Sequence, residues 1–258
     1  MEGVPRVALA CGGTAARMTI ANDALGNGFA EFLRPALANL LSVTTGASYV
    51  CVSSSEWPTL HRVWQEAGGN WSSTIIWAKN TFSLGRADYH QQCEAMLYGW
   101  KTGSQHHWCG ARDQGNVWHF DKPARNDLHP TMKPVALVER AIRNSSKPRD
   151  TVLDPFGGSG TMMIAAERTG RRAVLLEIDP VYANVIVRRW QEATGEAAVL
   201  EGGPFVVIQI ARLVLLAAVT ATEVFGGPHA AAFKHRRNGY RIKRYTPFTR
   251  YSGTPLGR

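Results

Sequence analysis

The stretch TVLDPFGGSGTMMIAAERTGRRAVLLEID, residues 151–179, brings together residue types that can do chemistry. An apolar run ends in Asp154, a turn carries Gly157, Gly158 and Gly160, and a second apolar run ends in Glu177. If the runs are parallel strands joined by a helix, the turn presents the free N–H groups of the helix start. Glycine there lets a ligand reach the main chain without a Cβ in the way. Three ligands suit such a turn. A triphosphate loop needs GxxxxGK[ST], and no lysine follows these glycines. A dinucleotide turn wants G-x-G-x-x-G, whereas FGGSGT supplies G-G-x-G. S-adenosylmethionine remains, with a zwitterionic methionine part and a ribose diol. Glu177, seventeen residues after Gly160, stands where a strand-end acid can accept both ribose hydroxyls. Asp154 reads either as an aid to cofactor orientation or as a cap for the following helix.

The elements that must hold these residues follow from periodicity. GASYVCVSSSE (46–56), SSTIIWAKN (72–80) and CEAMLYGWK (93–101) are strand candidates. Residues 57–68 have helical spacing, with Leu60, Val63, Trp64 and Ala67 on one face and Gly68 as a stop. Residues 29–43 read as a helix bent at Pro35, and 135–146 as another helix. Then come strand 151–154, helix 160–169, strand 172–177 and helix 180–193. The alternation predicts an α/β fold, a parallel sheet with helices on both faces. Residues 102–128 lack a period and read as a long, functional, irregular insertion.

The formal net charge of +9 is unevenly spread. Residues 203–258 hold nine Lys/Arg and one acid, Glu223, while residues 1–202 hold twenty Lys/Arg and nineteen acids. The overall charge is therefore no footprint of nucleic acid on the main domain. FVVIQIARLVLLAAVTATEVF (205–225) is long enough to suggest a membrane span, but Gln209 and Arg212 interrupt it. An arginine inside a span costs about 2.5–3.5 kcal/mol, so a buried strand or helix is expected instead. A tail foreign to the domain is a further reading of residues 203–258. Cys11, Cys51, Cys93 and Cys109 form no CxxC pair and read as reduced thiols of a cytoplasmic protein. His106, His107 and Cys109 lie close together, but no second ligand pair accompanies them, and no metal is expected.

DPFGGSGT, with HPTMKPVAL (129–137) upstream and LLEIDPVYANVIVRRW (175–190) downstream, resembles the amino-group DNA methyltransferases. The order is similar to the permuted subgroup, in which the catalytic half precedes the cofactor-binding half. IANDALG, WAKNTFSLGRADY and the stretch from Trp108 to Pro134 resemble adenine methyltransferases found with bacteriophage and ParB-like proteins. The resemblance implies a Rossmann-like doubly wound methyltransferase sheet in permuted order, with an irregular recognition insertion. It implies methyl transfer from S-adenosylmethionine to the exocyclic amine of adenine, or less often cytosine, in double-stranded DNA. It implies a catalytic half at 1–101, a recognition segment at 102–128 and a cofactor-binding half at 129–202. Phe156, Gly157, Gly158, Gly160 and Thr161 would surround the cofactor, with Glu177 on its ribose. Asp179 and Pro180 would flank the adenine, and His129, Thr131 and Lys133 would close over the methionine end. Residues 80–90 and 102–128 would touch DNA, with Trp108, Trp118 and Phe120 serving contact or packing.

The family's catalytic tetrapeptide is Asp, Asn or Ser, then Pro-Pro, then an aromatic. It holds the amine of a flipped base toward the sulfonium. No Pro-Pro dipeptide occurs in the chain, and MEGVPRVALAC stands where the loop is expected. No catalytic residue is therefore assigned. Two readings stay open: a cofactor-binding remnant without activity, or a reading frame altered at its 5′ end and past residue 203.

Overall fold

The computed structural model of the chain describes residues 25–86, 88–123, 132–201, 206–210 and 213–217. Helix α1, Phe29–Val43, buries Leu33, Ala36, Leu37 and Leu41, one apolar stripe of a helix, and carries Pro35 inside it. Helix α2, Trp57–Glu66, has Pro58 in its first turn, where a missing N–H leaves no bond unmade. It buries Leu60, Val63 and Trp64 against α1, as the spacing predicts.

These helices cover one face of a four-stranded sheet. Its strands are β1 (Ser48–Cys51), β2 (Gly69–Ser83), β3 (Gln91–Lys101) and β4 (Val117–His119), in the order β1-β3-β2-β4. Successive side chains of β3 point to opposite faces. Leu97 packs on α1 and α2, while Met96 and Tyr98 pack with Leu137 of helix α3 (Val135–Ser145). Three details differ from the sequence reading. The strand expected over 46–56 stops at Cys51, and Ser54–Glu56 forms a 3-10 turn leading into α2. β3 runs antiparallel to both β1 and β2, not parallel. Residues 84–90 are too short to hold the crossover helix that parallel neighbours need. And the insertion contains a strand, β4, parallel to β2 through Ile76, Trp77 and Ala78.

A second sheet has the order β5-β6-β9-β8-β7. β5 (Thr151–Asp154), β6 (Arg172–Glu177) and β9 (Leu213–Ala217) are parallel; β8 (Val206–Ile210) pairs antiparallel with β9, and β7 (Val199–Glu201) antiparallel with β8. The apolar run after residue 203 thus supplies strands as far as Ala217. The division expected near 202 falls between β7 and β8. Among the described residues no helix is long and apolar enough to cross a membrane. Helices α4 (Thr161–Thr169) and α5 (Pro180–Thr194) pack on β6 through Met163, Ala165, Ala166, Leu175, Ile186 and Trp190.

Helix α3 joins the two cores. Leu137 lies in the core of the first sheet and Ile142 in that of the second. The chain then turns beneath a buried arginine. Arg171 donates from Nε to Ser146 Oγ at 3.1 Å and from Nη2 to the Ser146 carbonyl at 2.6 Å, and it also bonds the Thr169 carbonyl. It thereby satisfies carbonyls at the ends of α3 and α4 that have no partner within their helices. Arg171→Met should leave those buried carbonyls unpaired and lower unfolding stability by about 1–3 kcal/mol in a denaturant titration.

Candidate functional site

The glycine turn sits between β5 and α4, at the carboxyl ends of the parallel strands. Asp154 closes β5, and its Oδ1 accepts the Phe156 N–H at 3.0 Å, so the acid shapes the turn itself. The Gly157 N–H reaches across to the Leu176 carbonyl of β6 at 2.8 Å, and the Gly160 N–H returns to the Gly157 carbonyl at 2.8 Å. Gly158 and Gly160 have φ of +51° and +75°, a left-handed conformation natural to glycine. A Cβ on Gly160 would stand 2.9 Å from Ile186 Cγ2 of α5. The sequence reading gave the glycines to the ligand; at Gly160 the crowding comes from the protein's own helix.

Glu177 ends β6 and is buried. Its Oε2 accepts the Gly158 N–H at 2.6 Å and its Oε1 the Asp179 N–H at 2.9 Å. One carboxylate therefore ties the turn to the start of α5. Asp179 caps that helix, its Oδ1 accepting the Val181 N–H at 2.8 Å, with Pro180 in the first turn. Thr161, the first residue of α4, is buried, and its hydroxyl lies 3.4 Å from the Lys133 carbonyl. The turn and the segment before α3 thus meet. Phe156 is 52% exposed, with its ring centroid 5.9 Å from that of Phe32 on α1. His129 and Thr131 lie outside the described residues, as do residues 1–24, where the catalytic tetrapeptide is expected.

Burial pushes the Asp154 carboxyl above the usual range, against the pull of the Phe156 amide and of Lys133. Burial also raises Glu177, opposed by the amides of Asp179 and Gly158. Lys133 is held above the ordinary lysine range by Cys51, against burial, with Glu94 and Asp154 adding to the rise. An acid and a base thus face each other beside the turn.

Several contributors escaped the sequence reading. Ile178 and Val181 are 48% and 62% exposed, and with Phe156 they line the rim of the turn with apolar surface. An apolar residue directly after the strand-end acid was the available signal. Lys79 and Glu94, from β2 and β3, form an ion pair at 2.8 Å, and Glu94 Oε2 lies 3.7 Å from Lys133 Nζ. The aromatics of the insertion separate by burial. Trp118 is core, with the Arg140 guanidinium 4.5 Å above its ring, whereas Trp108 stays partly exposed. The Phe120 carbonyl accepts the Trp77 indole N–H at 2.7 Å. Lys122 binds the Asn80 and Ser83 side chains at 3.0 and 3.1 Å, joining the insertion to the carboxyl end of β2. His106 stacks on Trp100 at 3.6 Å, and no group of metal-binding side chains occurs among the described residues. Cys51, Cys93 and Cys109 are free thiols.

Two measurements test this geometry. Gly160→Ala must hold a side chain at positive φ against Ile186, and should cost about 1–3 kcal/mol in thermal or chemical unfolding. Asp154→Asn keeps the acceptor for Phe156 but removes a half-buried charge. Because the folded pKa is raised, the native state binds this proton more tightly than the unfolded chain. The wild type therefore loses stability as pH rises through the folded pKa. The Asn variant should be the more stable protein near pH 8, and its lead should shrink as pH falls to about 4. A lead that is constant with pH would contradict the assignment.

A family model described as DNA methylase, the N6_N4_Mtase family, matches residues 19–188. The chain is 37% identical over 120 residues to the DNA adenine methyltransferase YhdJ of Escherichia coli K12, covering 41% of each protein. It is 34% identical over 125 residues to the type II methyltransferase M2.DpnII of Streptococcus pneumoniae, covering 48% of this chain and 44% of that one. The chain thus matches less than half the length of these relatives. Among solved structures, the M1.HpyAVI–SAM complex superposes with a TM-score of 0.51 at 25% identity, covering 57% of this chain and 74% of the other. TTHA0409 of Thermus thermophilus, complexed with S-adenosyl-L-methionine, has the same fold, with a TM-score of 0.54 at 22% identity over 80% of this chain and 88% of that one. With two thirds of its length inside the family model and a glycine turn built as described above, this chain belongs to the DNA methylase family of amino-methyltransferases.

Proposed function

We propose that the chain binds S-adenosylmethionine at the glycine turn and moves its methyl group to the exocyclic N6 amine of adenine in double-stranded DNA. The observation that carries this reading is Glu177. Its two oxygens accept the main-chain N–H groups of Gly158 and Asp179, with the Ile178 amide also bearing on the carboxylate, and its four lone-pair sites leave room for a further donor. The ribose diol of the cofactor would supply it. The remaining groups match the rest of the molecule. Phe156, Ile178 and Val181 offer apolar surface to the adenine, beside Asp179. Asp154 and Lys133 offer opposite charges to the ammonium and carboxylate of the methionine end. Gly157, Gly158, Gly160 and Thr161 form the floor, and His129 and Thr131 would close over the methionine end, as the family resemblance implies.

DNA would meet residues 80–90 and the insertion, which Lys122 joins to the end of β2. Residues 1–101 would serve catalysis, 102–128 recognition and 129–202 the cofactor, in the permuted order, with the chain acting on DNA in the cytoplasm. The target base must leave the stack to reach the donor. A sulfonium needs little acid help, so holding the amine in line is the main task of such a site. Adenine is supported by the name of YhdJ, and the cofactor by the M1.HpyAVI–SAM complex.

A second reading, cofactor and DNA binding without transfer, is favoured by one observation: no Pro-Pro-aromatic tetrapeptide occurs in the sequence. Incubation with labelled donor and unmethylated duplex separates the two, since incorporation into DNA supports transfer alone. Calorimetry tests the shared part. The wild type should bind S-adenosylmethionine, and Glu177→Ala should bind it about 1–3 kcal/mol more weakly. A wild type that shows no heat of binding, or a variant that binds as well, would remove Glu177 from the site.

A further inference from the structure

Three charged side chains line up between the two sheets. Lys79 of β2 is nearly buried, its side chain 7% exposed, and its ammonium lies 2.8 Å from Glu94 Oε1 on the neighbouring strand. Glu94 Oε2 lies 3.7 Å from Lys133 Nζ, beyond hydrogen-bond range. Glu94 is therefore Lys79's partner first, and its hold on Lys133 is the weaker one. Lys133 in turn stands in the field of Asp154, at the start of the glycine turn. A buried lysine with one close carboxylate is a costly feature for a strand, because the ammonium gives up its water for one bond to a carboxylate that stays 37% exposed. The Lys79 ammonium also lies over the Trp77 ring, 4.9 Å from its centroid, so the strand holds the charge in place from a second side.

We propose that Lys79 is a positioning residue which occupies Glu94, and so keeps the Lys133 ammonium free to receive the carboxylate of the cofactor's methionine end. This rests on the cofactor reading above. Without Lys79, the carboxylate of Glu94 would turn fully to Lys133 and compete with the ligand. The arrangement makes a specific claim: Lys79 acts on the ligand's carboxylate, not on its nucleoside.

Two thioether nucleosides separate those parts. S-adenosylhomocysteine carries the amino-acid carboxylate, and 5′-methylthioadenosine lacks it. Affinities for both are measured by calorimetry on the full chain. Lys79→Met should weaken S-adenosylhomocysteine about tenfold, the scale of one partly screened charge interaction, and leave 5′-methylthioadenosine unchanged. Lys79→Arg, which keeps the charge, should bind both as the wild type does. The double variant Lys79→Met/Glu94→Gln removes the competitor as well and should recover wild-type preference for the carboxylate ligand. That variant also carries the test if the single one does not fold. Lys133→Met should cut the preference at least as far as Lys79→Met does, leaving what Asp154 contributes through the ammonium. Equal weakening of both ligands by Lys79→Met would mark a purely structural lysine and overturn the proposal, as would a double variant with no preference. A wild type that binds 5′-methylthioadenosine but shows no gain for S-adenosylhomocysteine overturns it while leaving the nucleoside site intact. One that binds neither ligand removes the cofactor reading, and this assignment with it.

Discussion

The carboxylate of Glu177 accepts main-chain N–H groups from two different elements, the glycine turn and the start of α5, and the site's shape depends on that pair of bonds. Parallel strands end in loops whose amides need partners, and a buried unpaired amide costs as much as a lost hydrogen bond. Glu177 supplies the partners at the point where β5 and β6 release their chains. The bonds favour the ionised acid, while burial works against it, and burial prevails in the resulting shift. A group so balanced gains from any ligand that brings hydroxyl donors to its free lone pairs. On the proposed reading, the carboxylate that organises the turn is also the one that meets the ribose diol.

The turn is held from behind as well. Gly157 and Gly160 lie against Ile186, and the Gly157 amide bonds across to β6. Absence of a Cβ is needed first for α5 to approach the turn. An open main-chain surface on the other side follows from the same residues. Arg189 of α5 also donates to the Ser159 carbonyl, so the helix that crowds the glycines fixes the turn between them. A rigid cradle of this kind loses little entropy when a ligand settles into it.

Much of this was legible in the sequence, for physical reasons that differ by element. α2, α3, α4 and α5 carry apolar spacing and end signals, such as Pro58 and the Asp179-Pro180 start, that act within a few residues. Their positions follow from local rules. Strand partners do not. β4 is three residues long and pairs with β2 across some forty positions, and nothing in GNVWHF announces it. The antiparallel β2–β3 pair could have been read from the short link at 84–90, since link length decides pairing direction. Asp154 and Glu177 were legible because strand ends can be counted from apolar runs. Lys79 and Glu94 were not, because their contact exists only once the register setting Trp77 opposite Glu94 is known.

Helix α3 explains why the two halves of the chain can act as one site. Leu137 and Ile142, five residues apart, belong to different cores, so the helix cannot shift against one sheet without disturbing the other. At its amino end Lys133 approaches Glu94 of the first sheet and Asp154 of the second. At its carboxyl end Ser145 holds the Tyr49 hydroxyl at 2.8 Å and Ser146 takes Arg171. The apolar contacts set the distance between the sheets, and the polar ones set the angle at each end. Charges at the amino end then meet across a gap whose width the core has already fixed. Their energies are small singly, but they decide which groups face the crevice. Electrostatic choice resting on a rigid apolar spacer is what brings an acid and a base together beside the glycine turn.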